Sequence, residues 1–214
     1  MTLRRHLLLL RLLAWTGAGA PLLWMAYRIL LGEGLGADPT QELTHWSGGT
    51  ALVLLLTTLA VTPIRRLTGW NTVQKVRRLL GVWAFVYATI HMAVYVVLDQ
   101  ALAIDFILED VLERRFTLVG AAAFVLLIPL AITSTRGWIR RLGRTWTRLH
   151  RLVYAAALLA VVHFELGQKA DFTLRPVVAG VVLASLLGAR VWFSLRARPA
   201  GGGATGGSGT TFRR

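Results

Sequence analysis

The stretch Trp146–Phe164, WTRLHRLVYAAALLAVVHF, is an almost unbroken apolar run with a histidine near each end, His150 and His163. As a helix rising ~1.5 Å per residue it holds the two imidazoles roughly 20 Å apart along its axis. That is most of the ~30 Å depth of a bilayer's hydrocarbon core. An imidazole at membrane depth is costly without a partner, so each histidine marks a functional position.

Five further apolar runs accompany it, at about 7–31, 43–63, 79–98, 116–133 and 176–195. With the run at 149–166 they predict an all-α, polytopic bundle of six transmembrane helices. The chain is 55% hydrophobic and 16% charged, against about 25% charged in ordinary soluble domains. Its net charge of +14 would point a soluble protein toward nucleic acid. Here the cations lie in short segments between apolar runs, which is the positive-inside pattern and argues against a nucleic-acid partner.

The first run admits two readings. A signal peptide would have MTLRRH as its basic start and Ala18-Gly19-Ala20 as its cleavage site. A first membrane span is favoured, because the apolar character continues through LLWMAY. Pro129 inside the fourth span is tolerable where neighbouring helices re-satisfy the backbone. Residues 99–115 are acidic, and Ile104, Ile107, Leu108, Val111 and Leu112 predict an interfacial amphipathic helix there. The transmembrane domain is expected over 1–198. A Gly-rich tail at 199–214 is expected to be disordered, and its G-x-G-x-x-G letters (Gly201, Gly203, Gly206) lack the strand and helix of a dinucleotide site.

Arginine is abundant in the N-terminal segment, in 64–78, in 134–148 and in the tail, and absent from 32–42. Six alternating spans then place both termini in the cytoplasm of a bacterial-type cell, in its inner membrane. On this topology His91 and His163 share a depth in the periplasmic half. His45, at the start of the second span, lies at a similar or shallower depth. His150 is at the cytoplasmic edge with no obvious partner, and His6 reads as a solvated N-terminal residue. Two neutral imidazoles facing across a bundle at one depth are what a six-coordinate haem b requires. The chain has no cysteine and three methionines, so thiolate ligation and covalent haem attachment are excluded and histidine is the candidate ligand.

Thirteen residues at about 100° each leave His150 and His163 roughly 220° apart around an ideal helix. Either they serve different neighbours or a local bulge or kink realigns them. Arg77, Arg78, Arg148 and Arg151 read first as topology and lipid-phosphate anchors, with neutralisation of haem propionates or a flavin phosphate as the sharper alternative. Trp15, Trp46, Trp70, Trp83, Trp138 and Trp146 read as interfacial-belt residues.

Four blocks carry a family resemblance: ADPTQELTHWSGGTALVLLLTTLAVTP, KVRRLLGVWAFVYATIHMAVYVVLD, RRFTLVG with PLAITST, and LGRTWTRLHRLVYAAALLAVVHF. Over roughly 34–167 the chain resembles the haem-binding membrane subunits of periplasmic methionine sulfoxide reductase systems, within the ferric-reductase-like transmembrane group. The resemblance implies haem b, one or two per chain, with FMN as a further cofactor. It implies electrons drawn from the quinone pool or a cytosolic flavin reductase and passed to a periplasmic molybdenum-dependent catalytic subunit that repairs oxidised methionine. His91, His150 and His163 fall on that family's haem-linked histidines and His45 on another of its histidines. The first span has Trp15 and no transmembrane histidine, where some members have one. Such a chain is an electron-transfer subunit and not a complete enzyme alone. Two other functions fit the same residues: a ferric reductase or cytochrome b561-like electron carrier, and a histidine-based proton or metal transporter.

Overall fold

The structure, a computed structural model, describes residues 3–31, 34–167 and 174–196. The tail at 199–214 and the centre of the last loop lie outside the described residues. No strand occurs among the described residues, and six helices are long and apolar enough to cross a membrane. The expectation of an all-α, six-span bundle is borne out.

The first span is α1 (Leu3–Leu30) and the second is α2 (Pro39–Thr68). The start of α2 is fixed by Asp38, whose side chain accepts from the Gln41 N–H at 2.9 Å, followed by Pro39 in the first turn. Its end is fixed by Gly69 at φ 70°, a left-handed cap that glycine adopts without steric penalty. The third span, α3 (Arg77–Ala93), loosens into a π turn over Val94–Asp99. A short α4 (Ile104–Glu113) leads into the fourth span, α5 (Arg115–Ile132), which runs through Pro129 without a break. Two short helices, α6 (Arg136–Leu142) and α7 (Arg144–Leu149), precede α8 (Leu152–Leu166) and the last span α9 (Leu174–Arg196).

The fifth span is therefore α7 plus α8, with its break at His150 and Arg151. There the bonds tighten to three-residue spacing, Arg151 N–H to the Arg148 carbonyl and Tyr154 N–H to that of Arg151, each at 3.1 Å. The segment from His150 to His163 is therefore not one ideal helix.

The bundle is built from two tightly packed hairpins, α2 with α3 and α5 with α8, which meet through α3 and α5 and through α2 and α8. Helix α9 closes against α2 and α8, and α1 lies against α3. The core between them is aliphatic and small, with Leu55, Leu59, Ala84, Ala156 and Ala157 all buried. Leu12, Leu13, Val53, Val125 and Val181 are each at least 60% exposed. A soluble monomer does not leave an apolar surface of this extent open, whereas acyl chains cover it.

Three of the tryptophans form no belt. Trp46 and Trp83 pack against buried Tyr87, with ring centroids 5.6 and 6.0 Å away, and Trp15 meets Trp83 edge-on at 5.6 Å. The Tyr87 hydroxyl donates to the Ala18 carbonyl at 2.7 Å and pins α1 to the bundle. Tyr87→Phe removes that bond and leaves the carbonyl's helical bond intact. It is expected to cost about 1 kcal/mol, read as a fall of roughly 2–4 °C in the thermal midpoint of the detergent-purified protein.

Candidate functional site

His91 on α3 and His163 on α8 meet inside the bundle, with ring centroids 6.0 Å apart and ring planes at 76°. Each ring is held the same way. The His91 Nδ1 lies 3.0 Å from the Thr44 carbonyl oxygen, and the His163 Nδ1 lies 2.8 Å from that of Phe116. A carbonyl oxygen only accepts, so Nδ1 carries the proton in both rings and each Nε2 keeps its lone pair. That is the tautomer that binds a metal through Nε2.

Glycine makes the anchoring possible. A helical carbonyl already accepts the N–H four residues on, and its second lone pair is shielded by the side chain that leans back from that residue. Four residues after Thr44 is Gly48, and four after Phe116 is Gly120. A Cβ at Gly48 would stand 2.9 Å from the His91 Nδ1, and one at Gly120 would stand 2.7 Å from the His163 Nδ1. No side chain fits at either position while the imidazole stays in place.

The two half-sites repeat in the sequence. Each histidine lies 47 residues after its carbonyl partner. The second half-site follows the first at a constant offset of 72 residues: 44 to 116, 48 to 120, 91 to 163. One hairpin design is used twice, which turns the two rings toward each other across the bundle. This repeat could have been found by sliding the sequence against itself, although the glycines alone are unremarkable in helices rich in small residues.

Beyond the pair, a carboxylate ties the same two hairpins together. Asp110 on α4 is 8% exposed. It accepts from the hydroxyls of Tyr95 at 2.8 Å and Thr117 at 2.9 Å, and from Arg114 Nε at 2.9 Å. Tyr95 lies in the π turn just after His91, and Thr117 follows Phe116. The bond set thus ties the turn after His91 to the start of α5, which carries the Phe116 carbonyl. On α4 the half-buried Ile107 and Val111 lie with Asp110 toward the protein, while Ile104, Phe106 and Leu112 are exposed along with Asp105, Glu109 and Glu113.

The other two predicted residues lie apart from the pair. His45 is exposed beside Thr44, and it lines a separate cavity of about 380 Å³ with Gly17, Pro21 and Trp46 between α1 and α2. His150 stands at the opposite end of the bundle, stacked on Trp146 at 3.9 Å, with its Nδ1 3.2 Å from the Trp146 carbonyl and its Nε2 buried without a partner. His150 and His163 serve different neighbours.

Two imidazoles binding one metal ion from opposite sides at about 2 Å place their centroids roughly 6 Å apart. The observed pair has that separation. Among the described residues no three His, Cys, Asp or Glu converge on one point, so the pair offers two protein ligands, the number a six-coordinate porphyrin iron takes.

Residues 47–161 match the family described as ferric reductase like transmembrane component. Curated relatives agree. The chain is 52% identical to the protein-methionine-sulfoxide reductase heme-binding subunit MsrQ of Xanthomonas axonopodis pv. citri, over 78% of this chain and 76% of that one. It is 43% identical to the protein of the same name from Rhodospirillum rubrum, over 85% and 86%. The chain belongs to the MsrQ family of ferric-reductase-like transmembrane proteins. No solved structure matches it.

Two adjacent glycines separate the anchoring role from general helix effects. Gly48→Ala drives a methyl into the His91 ring, and such overpacking is expected to cost about 1–3 kcal/mol. Gly49 has open space where its Cβ would be, so Gly49→Ala is expected to be neutral or to stabilise by up to about 1 kcal/mol. Thermal unfolding of the two variants in one detergent checks the opposite signs.

Proposed function

We propose that this chain is the membrane electron-transfer subunit of a methionine sulfoxide reductase system, and that it relays electrons through a haem b held between His91 and His163. The observation that carries the reading is the pair of Nε2 lone pairs, freed by identical backbone anchors and set at a two-ligand spacing inside a lipid-embedded bundle. When bound, haem supplies one-electron interconversion of ferric and ferrous iron. The chain supplies the axial nitrogens, fixes their tautomer through Thr44 and Phe116, and surrounds them with an apolar shell.

The arginine excess at the far end of the bundle makes that end cytoplasmic under the positive-inside rule. Both termini are then cytoplasmic in a bacterial inner membrane. The imidazole pair lies at the opposite, periplasmic end, where an electron would leave for a catalytic subunit. A molybdenum-dependent periplasmic partner, FMN, and a quinone or flavin-reductase donor rest on the family resemblance.

One bis-imidazole centre is what the repeat supports. The 72-residue offset that maps His91 onto His163 maps Arg78 onto His150, and arginine stays protonated and does not ligate iron. A haem held by His150 alone would be five-coordinate and high-spin, and so distinguishable in the spectrum. His45 is too exposed and too far round α2 to replace either member of the pair.

A second reading follows from the family's description: delivery of the electron to chelated ferric ion at the periplasmic face. Stopped-flow reoxidation of the reduced protein by each acceptor decides between them. A transporter reading has less support, because Asp110 is the one buried carboxylate among the described residues and its oxygens are occupied by hydroxyl and guanidinium donors.

The reduced-minus-oxidised spectrum of the purified protein is expected to show a low-spin b-type signal. His91→Ala and His163→Ala should each abolish it, and His45→Ala and His150→Ala should retain it. A wild-type protein without haem from haem-replete cells, or a low-spin signal surviving His163→Ala, would overturn the assignment.

A further inference from the structure

A cavity of about 400 Å³ opens between α2, α8 and α9 at the arginine-rich end, lined by Thr62, Arg66, Arg151, Tyr154 and Arg190 among others. Three guanidinium groups face one space. Neither of the two ion pairs among the described residues involves them. No carboxylate is available nearby: every Asp and Glu among the described residues falls within 38–42, within 99–113 or at 165, all at the other end of the bundle.

The cavity is also built. Arg190 is held in place, with Nη1 donating to the Tyr154 hydroxyl at 2.5 Å, Nη2 to the Leu59 carbonyl at 2.8 Å, and its plane 5.0 Å from the Tyr154 ring. Arg66 is steadied over Phe193 at 5.5 Å. Two polar atoms are left over. The Arg190 Nε and the Thr62 Oγ1 are both buried with no partner, a costly arrangement unless a ligand completes it.

Three convergent guanidinium groups without a counter-anion, with an unpaired N–H and an unpaired hydroxyl, match the oxygens of a phosphate group. The haem proposed above does not supply the anion. Thr62 lies eighteen residues along α2 from Thr44, roughly 27 Å, beyond the reach of propionates on a haem at the His91–His163 pair. The cavity instead sits at the depth of lipid headgroups. On α9, Val191 and Trp192 beside it are exposed, and basic pockets between transmembrane helices on the cytoplasmic side are suited to anionic lipid headgroups. We infer that this cavity binds the phosphodiester headgroup of an anionic phospholipid, clamped by Arg66, Arg151 and Arg190.

The test is native mass spectrometry of the full chain in detergent, exchanged against equimolar phosphatidylglycerol and phosphatidylcholine. Arg66 and Arg151 are exposed, so Arg66→Gln/Arg151→Gln leaves the packing intact, which an unchanged thermal midpoint verifies. Arg140→Gln/Arg141→Gln removes the same charge from α6, away from the cavity. At least a tenfold preference for phosphatidylglycerol is expected in the wild type and in the α6 pair, and at least a fivefold drop in retention in the cavity pair. Equal retention of the two lipids, or an equal drop in both variant pairs, would overturn the inference. So would a site that takes up inorganic phosphate or flavin mononucleotide while excluding phosphatidylglycerol.

Discussion

Everything at the imidazole pair depends on two main-chain carbonyls accepting a second hydrogen bond. Thr44 lies in the second turn of α2 and Phe116 in the first turn of α5, where each carbonyl already serves the helix. The second lone pair is reachable because Gly48 and Gly120 present no Cβ over it. The imidazole N–H therefore reaches the carbonyl across a bare glycine. Since both hairpins use the same device, the aim of one ring is matched by the aim of the other. The design needs no buried charge, which suits a medium where an unpaired carboxylate is expensive.

Much of the architecture was legible because a membrane reduces folding to a few choices. Apolar length and arginine placement alone predicted six alternating spans, and depth arithmetic predicted that His91 and His163 share a level. Angular position was not legible. A helix with lipid on one side and apolar side chains on the other has no polar face to report which way it turns, so only depth, not rotation, could set His45 apart from His91. The structure separates them by rotation around α2 and α3, not by depth. The angular conflict between His150 and His163 was legible, and the structure resolves it by giving the two rings different neighbours. The cavity at the arginine-rich end was not legible, because Arg66 and Arg190 are remote in sequence and only the packing of α9 against α2 brings them together.

At one position the bundle inverts the rule by which soluble helices are read. In α4, Ile104, Phe106, Leu108 and Leu112 are exposed along with Asp105, Glu109 and Glu113, whereas Asp110 is buried beside half-buried Ile107 and Val111. Taken for a soluble amphipathic helix, the pattern would have sent the carboxylate outward. Exposed apolar residues cost nothing against acyl chains, and a buried carboxylate has to find its partners in protein. Asp110 finds them in Tyr95, Thr117 and Arg114. Charge thereby becomes a fastener: one carboxylate joins the turn after His91 to the turn that carries the Phe116 carbonyl.

The choice of a neutral carbonyl as the imidazole's partner has an electronic consequence. A histidine hydrogen-bonded to a carboxylate gains imidazolate character, which strengthens donation to a bound metal and favours the oxidised state. A carbonyl polarises the ring less. Asp110 lies close enough to order the surroundings, yet its oxygens are committed to hydroxyl and guanidinium donors and not to an imidazole. On the proposed reading, the chain sets the haem potential mainly through burial and neutral axial ligands. Charge is segregated to match: every carboxylate among the described residues lies at the imidazole end, where Arg28 and Arg114 pair with two of them, and the excess of arginine lies at the other.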